Sequence, residues 1–205
     1  MDPLVAARAV AIVLAAYAIG GIPWGVIVAR LTGGPDPRTI GSGRTGGANV
    51  MRALGPRLAL LSGILDMLKG TVAVLLARVL GAGVEVEVLA GLAVIIGHSR
   101  SPFLGFSGGR GVSAAFGAAL VLGPLAAVVT LAVFIATLAI TRYTSVASLT
   151  GAAIGGAAFT VQILATDLPL ALLGFSIGAP VLVWLFHLDN IGRLRRGEER
   201  KFGAR

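Results

Sequence analysis

The chain of 205 residues has no cysteine, only two histidines, 13% charged residues and 6% aromatic ones. Without cysteine there is neither a disulfide scaffold nor a thiolate metal site. Carboxylates are also scarce, nine in all, and neither they nor the histidines stand at the spacing of a Mg²⁺ or Zn²⁺ site. The several aspartates that a CDP-alcohol phosphotransferase needs on facing helices are missing. No serine, histidine and acid stand together in a way that suggests covalent serine catalysis. Neither a metal nor a cofactor is expected. A soluble domain carries about 25% charged residues. Half that share, with 56% hydrophobic residues and a mean hydropathy of +0.92, makes a soluble fold a poor reading.

What the chain does have is long apolar blocks. They run over Leu4–Leu31, Leu58–Leu80, Val86–Gly97, Val112–Gly123, Leu125–Thr141, Ser145–Ala165 and Leu168–His187. At about 20 residues per crossing, the length holds at most about seven to nine transmembrane helices. The pattern predicts an all-α membrane protein, one domain over 1–205, with seven crossings. The third and fourth blocks are short, about 18 Å of helix each against a ~30 Å hydrocarbon core. They form either one re-entrant pair or two short helices shielded by longer neighbours. Met1–Val28 resembles a signal peptide, but the apolar run continues through Ile22–Pro23–Trp24, and an uncleaved anchor is expected. Gly151–Gly155 and Gly174–Gly178 have the small-residue spacing of close helix packing.

The net charge of +8 is distributed by side. Of the 17 basic residues, all but Arg8, Lys69 and Arg78 lie in or beside loops 32–57, 98–111, 142–144 and 188–205. The positive-inside rule then puts the N-terminus outside and the C-terminus in the cytoplasm. The basic residues therefore speak for topology and for anionic small molecules, and no nucleic-acid partner is expected.

Four polar segments fall on that cytoplasmic side. The first, Gly41-Ser-Gly-Arg-Thr-Gly-Gly-Ala-Asn49 followed by Arg52, matches G-x-G-x-x-G formally. It follows an apolar helix and Pro35–Asp36–Pro37, with no strand, so a dinucleotide fold is excluded. Glycines such as Gly41 and Gly43 nevertheless let backbone amides converge on an anion, with Ser42, Arg44, Asn49 and Arg52 as side-chain donors. A flexible, positive-inside loop is the plainer alternative. The second segment runs from His98 to Ser107-Gly108-Gly109-Arg110-Gly111 and opens directly into a helix. Oriented amides and the helix dipole there suit a phosphate. The third, Arg142 to Ser148 around Ser145, also reads as a short turn with an interfacial tyrosine. In the fourth, His187 and Asn190 stand at i,i+3 before a basic tail, although a lone histidine there often serves only the helix dipole. Asp66 and Lys69 are i,i+3 inside the second block, either functional or a self-paired bridge.

Together these segments resemble the acyl-phosphate-dependent glycerol-3-phosphate acyltransferases of bacterial membranes, the PlsY family. The likeness covers I-P-W-G at 22–25, the glycine-rich stretch at 41–55 and L-D-M-L-K-G at 65–70. It continues through 97–112 and 142–149 to H-L-D-N-I-G-R-L-R-R-G-E-E-R-K-F-G at 187–203. The resemblance implies a seven-helix, multi-pass protein of the bacterial inner membrane, acting as a monomer. It also implies transfer of a fatty acyl group from acyl phosphate to the sn-1 hydroxyl of glycerol 3-phosphate, giving lysophosphatidate. Carried over by motif, Ser42, Arg52, His187 and Asn190 are catalytic. Gly41, Gly43, Arg44, Asn49, Gly108, Gly109, Arg110, Gly111 and Ser145 bind phosphate, and Glu199 is structural. The chain departs from the family pattern at Arg44, Thr45 and Ala48, at Ser107, and at Arg110, where Lys is usual. Arg44 is expected to compensate for Ser107. The competing reading is a small anion or lipid transporter, supported only by Asp66–Lys69; polar residues near the midplane would mark it. A packing protein without activity leaves the loop composition unexplained.

Overall fold

The computed structural model describes residues 2–203, and among them the chain is all-helical, with a single isolated bridge, Ser101 to Ser107, instead of any strand. Helix α1 (Pro3–Gly21) starts on Asp2, whose carboxylate accepts the Leu4 amide at 2.9 Å. Proline in the first turn costs nothing, because its missing amide would have no partner there. At Pro23 the missing amide breaks the helix, and the chain restarts as α2 (Trp24–Leu31). The block expected as one helix over Leu4–Leu31 is therefore two. The first polar loop is also less irregular than expected: it contains α3 (Gly47–Leu54). Gly55, at φ +82°, turns the chain into α4 (Pro56–Val79).

The remaining helices are α5 (Val84–Ser99), α6 (Val112–Leu122), α7 (Pro124–Thr141), α8 (Thr144–Ala165), α9 (Leu173–Leu185) and α10 (Leu188–Arg195). Helix α5 has 16 residues, four more than its apolar block. Its first turn holds Glu85 and Glu87, which hydropathy excludes but a helix N-terminus favours. Glu87 is also matched by Arg78 of α4 at 2.7 Å. The seventh block ends at Leu185, not His187, and a 55° bend separates it from α10.

Contacts fix the direction of each helix. Arg8 of α1 reaches the Leu80 carbonyl at the end of α4, whereas Tyr17 meets the Arg100 carbonyl just past α5. Helix α1 therefore runs parallel to α5 and antiparallel to α4. Gly70 and Gly117 bring α4 and α6 together in parallel: an added Cβ at either would strike the backbone of the other helix, at Ala114 or Met67. Gly20 and Gly97 do the same for α1 and α5, against Val94 and Tyr17. Such close approach is what holds helices together in lipid, where the surroundings are as apolar as the side chains. Of the spaced pairs expected from sequence, Gly155 meets Thr130 of α7, while Gly174 and Gly178 face only Val88 and Leu92 side chains on α5.

Helix α5 is the centre of the bundle, with Ala90, Val94 and Ile95 fully buried. The two short blocks are two separate helices, α5 and α6, packed among longer neighbours. Among the described residues, α1, α4, α7 and α8 are long and apolar enough to cross a membrane, and the bent pair α9–α10 brings the number to five. Leucines, valines and isoleucines on their outer faces, such as Leu14, Leu60, Val128 and Val161, are exposed, as lipid-facing positions require. This is a multi-pass membrane protein. The polar segments at 32–55, 99–111, 142–143 and 186–196 all gather at one end.

Candidate active site

The first loop is organised by one side chain. Asn49, on α3 and 3% exposed, donates through Nδ2 to the carbonyls of Ile40 and Arg44, both at 2.9 Å, and to Ser42 Oγ at 3.2 Å. Its Oδ1 accepts from Arg52 Nη1 at 2.7 Å. Asn49 thus spends its hydrogen bonds on the loop and holds Ser42 and Arg52 side by side. Because Ser42 Oγ accepts from Asn49, its hydroxyl proton remains available to a ligand. Gly41 sits at φ +62°, and a Cβ there would come within 2.6 Å of Asn49 Oδ1, so only glycine fits.

The second loop is equally fixed. Ser101 Oγ donates to the Gly21 carbonyl at 2.6 Å, and the Gly109 amide donates to the His98 carbonyl at 3.1 Å. Gly111, left-handed at φ +76°, starts α6. Between them Arg110 turns inward: its side chain is 16% exposed, with Nη2 at 2.8 Å from Asp189 Oδ2. Its Nε is buried and has no partner. Burial and the charges of Arg44 and Arg193 push the Arg110 guanidinium down, outweighing Asp189.

The chain's last turn supplies the third wall. His187 lies between α9 and α10, and its Nδ1 donates to the Val183 carbonyl at 2.7 Å. That fixes the tautomer and leaves Nε2 a free lone pair. Burial lowers its pKa to about 4, so the ring is neutral at physiological pH. Asn190 Nδ2 donates to Glu199 Oε1 at 2.6 Å, and Arg193 Nε to Glu199 Oε2 at 2.7 Å. Burial disfavours the Glu199 carboxylate, but these hydrogen bonds prevail and hold its pKa below the ordinary value. Asn190 Oδ1 and Ser145 Oγ are buried without partners. Beyond Glu199 the chain straps back across the α7–α8 turn, where the Phe202 amide donates to the Arg142 carbonyl at 2.6 Å.

All three walls, with Ser145 from α8, enclose one cleft of about 780 Å³. Gly41, Ser42, Arg44, Asn49, Arg52, Arg110, Ser145, His187 and Asn190 line it. Below this cationic mouth its walls become apolar, with Phe116, Leu131, Phe134 and Phe159 from α6, α7 and α8. Gly43, Gly108, Gly109 and Gly111 do not line the cleft; they shape the loops that do. His187 and Asn190 face the same cleft across the bend, although they do not share one straight helix as their spacing suggested. No group of three or more His, Asp or Glu among the described residues could hold a metal.

The family model described as glycerol-3-phosphate acyltransferase matches residues 10–197. The glycerol-3-phosphate acyltransferase 1 of Deinococcus radiodurans is 43% identical over 94% of both chains. That of Roseiflexus sp. (strain RS-1) is 43% identical over 98% of both. The chain belongs to the glycerol-3-phosphate acyltransferase family. Its fold is similar to crystal structures of PlsY (YgiH), an integral membrane glycerol 3-phosphate acyltransferase. The glycerol 3-phosphate form gives a TM-score of 0.87 at 35% identity, and the lysophosphatidic acid form 0.85 at 34%, each over 96% of both chains.

Within the family pattern, the departures at 44 and 107 fall in different places. Arg44 lines the cleft and faces Arg110. Ser107 stays outside the cleft, its Oγ donating to the Leu104 carbonyl at 2.8 Å. Arg44 therefore adds charge where Ser107 removes none. Sequence alone gives Asp189, beside Asn190, no role and makes Arg193 part of a basic tail. Their i,i+4 spacing on α10, with Arg193 Nη1 at 3.3 Å from Asp189 Oδ2, was the available signal.

Proposed function

We propose that this chain transfers a fatty acyl group from acyl phosphate to the sn-1 hydroxyl of glycerol 3-phosphate, giving lysophosphatidate and phosphate in phospholipid biosynthesis. One observation carries the reading: four segments far apart in sequence meet in one cleft, cationic at its mouth and apolar in its depth. Both substrates bear phosphate, and only the donor bears a long apolar tail. The tail lies between α6, α7 and α8, and the two phosphates lie at the arginines.

The reaction needs no acyl-enzyme, because acyl phosphate is a mixed anhydride with a good leaving group. The hydroxyl oxygen attacks the acyl carbonyl carbon, and the carbon–oxygen bond to phosphate breaks. Phosphate leaves with the electron pair and takes up the hydroxyl proton. His187 Nε2, unprotonated, accepts a hydrogen bond from the hydroxyl and aligns it. Ser42 and Arg52 stabilise the oxyanion that develops on the carbonyl, and Arg110 binds the glycerol-3-phosphate phosphate. Asn190 Oδ1 and Ser145 Oγ are the free acceptor and hydroxyl that complete the acceptor's site. Asn49, Gly43, Gly108, Gly109 and Gly111 support the phosphates through the loop backbone.

The alternating directions of α1, α4, α5, α6, α7, α8 and α9 support seven crossings in a single domain. With the basic residues inside, the N-terminus lies outside and the cleft opens to the cytoplasm of a bacterial inner membrane, in a monomer. The deciding assay uses the purified protein in lipid with palmitoyl phosphate and labelled glycerol 3-phosphate, without added metal. Labelled lysophosphatidate is the expected product. Its absence, with phosphate flux across sealed vesicles, would make the chain a transporter instead. A quenched reaction that yields acyl-Ser42 would refute direct transfer.

A further inference from the structure

Three ionisable side chains are buried beside the cleft, two of them, Asp66 and His98, on its wall, and have no part in the chemistry above. Asp66 and Lys69, one turn apart on α4, pair at 2.8 Å with side chains 5% and 3% exposed. His98, in the last turn of α5, holds Nδ1 at 3.5 Å from the same Asp66 oxygen. Lys69 Nζ also donates to the Ile22 carbonyl at 3.1 Å, within the break between α1 and α2. Ionisable groups at such depth are costly unless paired, and tend to mark functional positions.

The position of His98 gives the cluster a task. Its carbonyl accepts the Gly109 amide, and its ring occupies the space that a Cβ on Gly109 would need. A Cβ on Gly108 would strike the same carbonyl. One residue thus sets the seat of both glycines that precede Arg110. We infer that His98, braced by Asp66 and Lys69, is a positioning residue that seats the Gly108–Gly109 turn and aims Arg110 at the substrate phosphate. The inference rests on the reading of the Arg110 loop as the glycerol-3-phosphate subsite. Through the Ile22 carbonyl the same cluster also ties this loop to the break from which α2 leads to the first loop.

The steric fit between ring and glycine supplies the test. Steady-state kinetics in lipid, with thermal unfolding in detergent alongside, would compare the unaltered chain with His98→Ala, Gly109→Ala and the double variant. Each single substitution is expected to raise the KM for glycerol 3-phosphate about tenfold with a smaller change in kcat, the scale of a loop displaced by an ångström or less. In the double variant the absent ring leaves room for the new methyl group, so KM stays near tenfold instead of reaching the hundredfold product. Should His98→Ala fail to fold, His98→Asn withdraws the ring from Gly109 and keeps a polar group toward Asp66. A KM unchanged in the His98 variant, or a double variant at the full product, overturns the inference. An unaltered chain that forms no lysophosphatidate overturns the substrate reading itself, and this inference with it.

Discussion

Ser42 and Arg110 occupy the same cleft but are expected to fail differently when truncated. Ser42 Oγ has a proton to give and, in the reaction proposed, faces the acyl carbonyl, so Ser42→Ala should lower kcat by about 10²–10³-fold, the scale of one lost oxyanion donor. Arg110→Ala removes the guanidinium proposed to bind the acceptor phosphate. It should raise the KM for glycerol 3-phosphate about tenfold to a hundredfold, from the ~1.5–3 kcal/mol of a charged hydrogen bond, and leave kcat comparatively intact. Both follow from initial rates with either substrate varied. His187 adds a pH signature. Its pKa in the fold, about 4, lies below the ordinary 6.5, so the unfolded chain binds the proton more readily. Its contribution to stability is complete above pH 6.5 and fades as the pH falls toward 4. Thermal unfolding should show that slope, and His187→Gln should flatten it.

Among the helices, glycines that look alike in sequence divide into two kinds. Gly117 packs against the Met67 backbone, where neither side can yield, so Gly117→Val should push α4 and α6 apart and leave little folded protein in detergent. Gly63, on the cleft wall, has open space around it. Gly63→Leu should fold, with better helix propensity by up to ~1 kcal/mol, and project into the apolar depth. The expected result is a shift of preference toward shorter acyl phosphates, measured with a chain-length series. Element boundaries were legible in the sequence where a glycine or the end of a long apolar run set them, as at Gly123. They were missed where charge interrupts a helix, as at Glu85 and Glu87, or where proline does, as at Pro23. Helix α3 was hidden because Gly46 and Gly47 at its start carry no helical signal.

Across the whole molecule, the gathering of the four polar segments at one end was legible from charge alone, since basic residues sort by membrane side. The parallel pairing of α1 with α5 was not, because it depends on contacts such as Tyr17 to Arg100 that join distant residues. Nor was the buried partnership of His98 with Asp66, formed between two helices that sequence shows only one at a time. A chain without cysteine lends itself to topology mapping. A single Cys at Gly34 should react with impermeant maleimide only after the cytoplasmic face is opened, and one at Ala82 should react from outside; the reverse result would invert the orientation.

The strap from Glu198 to Phe202 bears on how the protein can be handled. Because Glu198, Arg200 and Phe202 line the cleft, a handle fused beyond Phe202 is expected to crowd the cleft and slow turnover. One joined ahead of Asp2, where no residue lines the cleft, is expected to leave turnover unchanged.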